Sequence, residues 1–190
     1  MPKPFHLIWL APLLAATLAG CSTAMFHGAD AGVTITDDRR QTSAYVADEG
    51  IEYQLAREFD AMAQESSRVV FTSFNKRVLI TGQVAEAALR EKATELAKKH
   101  GDVREVINEL AVSGKAGVWQ RTTDTYLAMK VKTRMVDDDR LSAKHVKVVT
   151  EGDTVYLMGL VKRAEALAAA EVAARTKGVA RVVKVFEYLD

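Results

Sequence analysis

Residues 68–190 carry one pattern twice at a fixed offset of 77 positions. Val78-Leu79-Ile80-Thr81-Gly82-Gln83-Val84 returns as Val155-Tyr156-Leu157-Met158-Gly159-Leu160-Val161, and Gly101, Arg104 and Val106 return as Gly178, Arg181 and Val183. No gap is needed, so the chain is built from two homologous modules rather than one large core. Each copy places two glycines 19 residues apart. Gly82 and Gly159 fall inside strand patterns, where glycine marks a bulge or a close backbone approach. Gly101 and Gly178 follow helical patterns, where a left-handed residue ends a helix.

Within each copy the periodicity changes in the same order. Ile51, Leu55, Phe59 and Met62 recur at helical spacing over residues 48–62, with Asp48 as the expected cap. Leu127, Val131 and Met135 repeat this behind Thr123 and Asp124. Alternating strands follow, Val69-Phe71-Ser73 with Val78-Ile80 and Val146-Val148 with Val155-Leu157, joined by turns at Asn75-Lys76 and Glu151-Gly152-Asp153. Residues 86–100 and 163–177 are rich in Ala, Leu, Glu, Lys and Arg, a helical composition. Residues 103–112 and 180–189 read as closing strands. The expected fold class is α+β, each module running helix-strand-strand-helix-strand with two helices on one face of a three-stranded sheet. A unit of about 65 residues buries only about 60% of its unfolded surface, which predicts that the two copies pack on each other.

The chain begins with Lys3 and an apolar run over residues 7–19 that contains Pro12, too short and interrupted for a comfortable bilayer span. It reads as a signal peptide over residues 1–20. Cys21, the single cysteine, follows Leu18-Ala19-Gly20 and cannot form an intramolecular disulfide. The arrangement resembles a bacterial lipobox, which implies acylation at Cys21. Ser22, standing after it where an Asp would signal otherwise, favours the outer membrane by the same resemblance. Residues 21–47 lack sustained periodicity and read as a tether that, as a coil, would span roughly 30 Å. The remaining division is a first module at 48–113, a linker at 114–122 and a second module at 123–190. Without Lys3 the chain balances 25 basic against 25 acidic residues, which gives no support for a nucleic-acid partner. The copies differ: residues 45–114 hold 9 basic and 12 acidic residues, residues 121–190 hold 13 and 10.

Catalytic chemistry is poorly provided for. His6, His27, His100 and His145 are scattered, Gly28 and Gly32 follow no strand, and Asp137-Asp138-Asp139 reads as a solvated loop. The expectation is a non-enzymatic protein with no metal and no cofactor. The contrast between the two first helices is more informative. Opposite its core stripe the first presents Tyr53, Arg57 and Asp60, whereas the second presents Tyr126, Met129, Thr133 and Val136, edged by Lys130, Lys132 and Arg134. A helix apolar on its outer face with basic edges suits a membrane interface, apolar groups entering the headgroup boundary while cations meet anionic phosphates. Trp119, just upstream, could join this surface. The stripe could instead pack on the first module or the linker, or dock an envelope protein.

The twin strand-Gly-Val segments, each followed by a helix and a second glycine, resemble the BON domain of bacterial envelope proteins. Val106-Ile107-Asn108-Glu109-Leu110, Asp124-Thr125-Tyr126 and residues 155–161 carry the likeness most strongly. With a lipobox in front, the chain resembles the dual BON-domain outer-membrane lipoproteins. That resemblance implies a lipid-anchored protein at the periplasmic face of the outer membrane, supporting envelope integrity. It also implies that the first helix of the second module contacts anionic phospholipid, an aromatic standing where Tyr126 does. A second expectation is an interaction or chaperone-like module serving outer-membrane assembly machinery.

Overall fold

The computed structural model describes residues 38–63, 67–113 and 120–190, with side chains from residue 125 onward in the last stretch. Cys21, the signal region and Trp119 lie outside the described residues. The first module comprises α1 (Thr42–Met62), β1 (Arg68–Phe74), β2 (Arg77–Val84), α2 (Ala87–Lys99), β3 (Glu105–Asn108) and β4 (Ala111–Val112). The second comprises α3 (Gln120–Val136), β5 (Val146–Glu151), β6 (Thr154–Val161), α4 (Arg163–Ala174) and β7 (Arg181–Tyr188), with a 3-10 turn at Ala143–His145 before β5. In both sheets the middle strand pairs antiparallel with its hairpin partner and parallel with the strand beyond the helix, in the orders β1-β2-β3 and β5-β6-β7. The α+β class and the order of elements agree with the expectation.

Local chemistry explains the details. Asn75 and Lys76 have φ of 52° and 63°, so a two-residue turn with positive φ at both positions closes the first hairpin and matches the twist of its strands. Gly152, at 62°, opens the second turn. The closing strand of the first module differs from the continuous run expected. Asn108 accepts the amide proton of Leu110 on its side-chain oxygen, and this local turn interrupts the ladder between β3 and β4. Both pieces keep one register on β2, with Val78 opposite Val106 and Gln83 opposite Ala111.

The glycine expectations divide. Neither hairpin is bulged, since both registers run without a break. Close approach is the real constraint: a Cβ on Gly82 would stand 2.0 Å from the Arg68 carbonyl oxygen, and one on Gly159 would stand 2.3 Å from that of His145. Gly82 also has φ +116°. At Gly101 the left-handed cap is not found. His100 ends α2 in an extended conformation, and space around Gly101 is open. Gly178 has φ +106° but lies beyond the helix end at Arg175, where a Cβ would touch Leu127 at 3.4 Å.

Helix starts also differ. α1 begins at Thr42 and α3 at Gln120, each before the expected first residue, so Thr123 and Asp124 lie inside α3. Asp48 is no cap. It is 2% exposed within α1 and accepts hydrogen bonds from Ser73 Oγ at 2.7 Å and from the backbone amides of Asn75 and Lys76 at 2.7 Å each. Arg40 Nη1 donates to it at 2.7 Å. A carboxylate this deep is tolerated because its lone pairs are satisfied, and here it fixes the β1–β2 turn against the helix.

Each module has a core between its helices and its sheet. Ile51, Leu55 and Phe59 of α1 meet Phe71, Val78, Ile80, Ala93 and Ala97. Leu127, Val131 and Met135 of α3 meet Val155, Leu157, Ala169 and Ala173. A third cluster of Phe74, Leu79, Tyr156, Met158 and Val185 draws on both modules and lies between the helix-free faces of the sheets. The expected packing of one copy on the other is therefore present. Ion pairs rim it, including Glu52–Lys147 at 2.8 Å, Arg104–Glu187 at 2.6 Å, Glu109–Arg181 at 2.8 Å and Arg68–Glu151. Arg39 joins the segment before α1 to the second module, donating to both carboxylate oxygens of Glu165 at 2.6 and 2.8 Å and to the Leu160 carbonyl at 3.1 Å. Its guanidinium, together with the Lys162 amide, holds the Glu165 carboxyl at about 2.

Asp48→Ala leaves the half-buried amides of Asn75 and Lys76 and the buried Ser73 Oγ without their acceptor, and urea unfolding should show a loss of about 3–5 kcal/mol. Gly159→Ala and Gly101→Ala should separate sharply in the same assay. The first must displace backbone and should cost about 2 kcal/mol or more. The second meets open space and should be neutral or slightly stabilising.

Candidate functional site: the outer face of α3

α3 turns one stripe into the core and another to solvent. Leu127, Val131 and Met135 are buried. On the opposite side Tyr126 is 68% exposed, Met129 62% and Val136 69%. Thr133, also exposed, returns its hydroxyl proton to the Met129 carbonyl at 3.0 Å, so the hydroxyl is held along the helix. The outer stripe does not pack on the first module. That module is occupied through the far side of the sheet, leaving both α3 and α4 on the outside of the second module.

The basic edges have definite partners. Lys130 Nζ donates to the Lys177 carbonyl at 2.6 Å, beyond the end of α4, and Lys132 Nζ donates to the Val146 carbonyl at 2.7 Å, at the start of β5. The two ammonium groups therefore lie on opposite flanks of the stripe, held by the fold. An ammonium carries three donors, so the Lys130 carbonyl contact leaves hydrogen-bonding capacity toward solvent. Arg134 is exposed at the last turn.

Beside Arg134 the C-terminal end of α3 and the end of α4 enclose a cleft of about 250 Å³. Arg140 and Arg175 enter it along with Asp137, Asp138, Glu171 and Val172. Arg140 donates to Asp138 at 2.7 Å and to Glu171 at 2.7 Å, while Arg175 holds the other Glu171 oxygen at 2.5 Å. The Arg140 contact keeps the Asp138 carboxyl at about 2 and lowers that of Glu171. The Asp137-Asp138-Asp139 run is thus more than a solvated loop at Asp138, which closes an ion-pair network. Spacing alone could not join it to Glu171 and Arg175, about thirty residues away, because the packing of α3 against α4 makes that contact.

Among the described residues no group of three or more His, Cys, Asp or Glu side chains is arranged to hold a metal ion. His100 contacts Gln54 at 2.8 Å and stands in the other module from His145. No helix among the described residues is long and apolar enough to cross a membrane.

Two sheets of this topology, each backed by a helix pair and repeated in tandem, define a dual α+β module protein with one unusually apolar outer helix. The chain belongs to the BON domain family, which it matches over residues 47–114 and 123–190. It is 41% identical over 185 residues to the outer membrane lipoprotein DolP of Haemophilus influenzae, covering 95% of this chain and 96% of that one. It is 34% identical over 155 residues to a protein of Actinobacillus pleuropneumoniae described as a 21 kDa hemolysin, covering 80% of each. Among solved structures, the C-terminal domain of CdsD from the type III secretion system of Chlamydia trachomatis aligns with a TM-score of 0.31 and 10% identity over 80% of this chain and 100% of that one. This last likeness is too slight to carry an argument. Similarity along nearly the whole of both chains places the protein as an outer-membrane lipoprotein with two BON domains.

Truncation should distinguish the two faces of α3. Leu127→Ala removes buried methyl groups and should lower unfolding stability by about 2–5 kcal/mol, whereas Tyr126→Ala should change it by no more than about 0.5 kcal/mol. Denaturant midpoints of the two variants measure the contrast.

Proposed function

We propose that this is a non-enzymatic lipoprotein, anchored through acylated Cys21, whose second BON domain binds anionic phospholipid through the outer face of α3 and so supports outer-membrane integrity. The observation that carries the reading is the exposure of Tyr126, Met129 and Val136 together on a helix with Lys130 and Lys132 on its flanks and Arg134 at its end. Three large apolar groups in one stripe gain by leaving water, and a bilayer interface offers them hydrocarbon beside phosphate. Tyr126 is suited to headgroup depth because its ring is apolar and its hydroxyl remains hydrated. Trp119 is assigned to the same surface from sequence. Affinity at this face need not be high, since an acyl anchor on the same chain supplies a large effective concentration at the bilayer.

The non-enzymatic part rests on the poverty of catalytic groupings in the sequence, and the integrity part on kinship with envelope lipoproteins. Residues 22–190, prepared without acyl groups, should sediment with vesicles containing anionic phospholipid and not with neutral ones. Tyr126→Ala and Lys130→Glu should each weaken that binding by about tenfold, equivalent to about 1.4 kcal/mol. Binding should also fall steeply as salt rises from low to high ionic strength, because the flanking charges act within a Debye length. Sedimentation indifferent to both substitutions would move the stripe to a protein partner, such as the outer-membrane assembly machinery.

A further inference from the structure

We propose that the cleft between α3 and α4 receives the headgroup of a zwitterionic phospholipid, a phosphodiester bearing a primary ammonium; this rests on the membrane reading of α3. The cleft has three guanidinium groups and three carboxylates on its lining. Asp138, with its carboxyl at about 2, and Glu171, with its carboxyl lowered, remain ionised and are tied to Arg140. Arg175 shares Glu171 but its side chain is largely in solvent. Neither Arg134 nor Asp137 takes part in an ion pair among the described residues. One cleft therefore holds unspent positive charge at Arg134, supported by Arg175, and an unspent carboxylate at Asp137.

That pairing selects among headgroups. A purely anionic group would set its charge against three carboxylates, at a cost in a site of balanced charge. A phosphate linked through two carbons to an ammonium satisfies both signs, its oxygens accepting from Arg134 and Arg175 and its N–H groups donating to Asp137. A quaternary trimethylammonium has no proton to donate and is bulkier. The surroundings suit a lipid rather than a free ion, because exposed apolar side chains flank the cleft on both helices. Val136 lies at the end of α3, and Leu167, 64% exposed, lies one turn before Glu171 on α4. Both helices cover the same face of the β5-β6-β7 sheet, so their outer sides form one surface.

The test uses residues 22–190, prepared without acyl groups, and vesicles with a fixed fraction of phosphatidylglycerol, the remainder being either phosphatidylcholine or phosphatidylethanolamine. Replacing choline by ethanolamine lipid should lower the half-saturating lipid concentration by at least about threefold. Asp137→Asn and Arg175→Gln should each remove that gain while leaving binding to the phosphatidylcholine mixture within about twofold. Equal binding to the two mixtures by the parent protein overturns the proposal. So does a gain that survives both substitutions, since it would then come from bilayer packing and not from the cleft. Failure to bind either mixture overturns the α3 membrane reading together with this one. Should a variant misfold, glycerophosphoethanolamine titrated into the parent protein should shift the amide resonances of Asp137 and Glu171, and glycerophosphocholine should not; identical responses to both would overturn the headgroup assignment.

Discussion

The back-to-back contact of the two sheets is what the remainder of the molecule depends on. Each sheet is covered by helices on one side only, and a middle strand such as β2 or β6 is apolar on both. Val78 and Ile80 point into the first module's core while Leu79, between them, points away from it. Val155 and Leu157 stand in the same relation to Tyr156 and Met158. Left in water, Phe74, Leu79, Tyr156, Met158 and Val185 would forfeit about 1.5–3 kcal/mol each, an upper value because the separated modules would cover part of that surface themselves. The sum is of the same order as the whole stability of a typical domain, 5–15 kcal/mol. Neither module is therefore expected to be an independent unit, and the rim ion pairs fix register more than they add stability.

This interface also decides which surfaces are left for function. Once the helix-free faces are joined, the helices of both modules are the outermost layers. α1 and α3 hold equivalent places in the repeat yet differ outside. α1 exposes Val46 and Tyr53 around Gly50, among acidic neighbours, whereas α3 exposes Tyr126, Met129 and Val136 with cations beside them. A shared fold explains the buried stripes of both helices and says nothing about their outer ones. What differs between the copies is therefore the better guide to what each does.

The fold was legible in the sequence because the repeat constrained every element twice. Offsets that matched across 77 residues located hairpins and helices, and Asn75 and Gly152 are residue types suited to the positive φ of their turns. The outer stripe of α3 was also legible, since helical spacing alone sorts Tyr126 and Met129 from Leu127 and Val131. Helix starts were not. Thr42 to Ala47 carry a weak apolar pattern, and the aspartate that resembled a cap is instead a buried acceptor whose partners on the β1–β2 hairpin lie 25 to 28 residues away. Of the two reasons the sequence offered for Gly159, the close approach holds and the bulge does not: a strand register without a bulge can still forbid a Cβ when a neighbouring carbonyl sits where it would go. The sheet-to-sheet contact did leave a trace, in Leu79, Tyr156 and Met158 filling positions that a half-buried strand would give to polar residues.

The cleft beside α3 was the least legible feature, because no single stretch of sequence contains it. Its groups come from the end of α3, the loop after it and the end of α4, and only the packing of α3 against α4 unites them. At the other end of α4, Glu165 is gripped by Arg39, while the next residue, Arg40, reaches Asp48 in the first module. The chain thus enters the folded unit at a fixed point that touches both modules and lies on the helix that forms one wall of the cleft. The bidentate Arg39–Glu165 contact therefore ties the segment before α1 to one wall of the cleft, a link across 126 residues that no local pattern in the sequence announces.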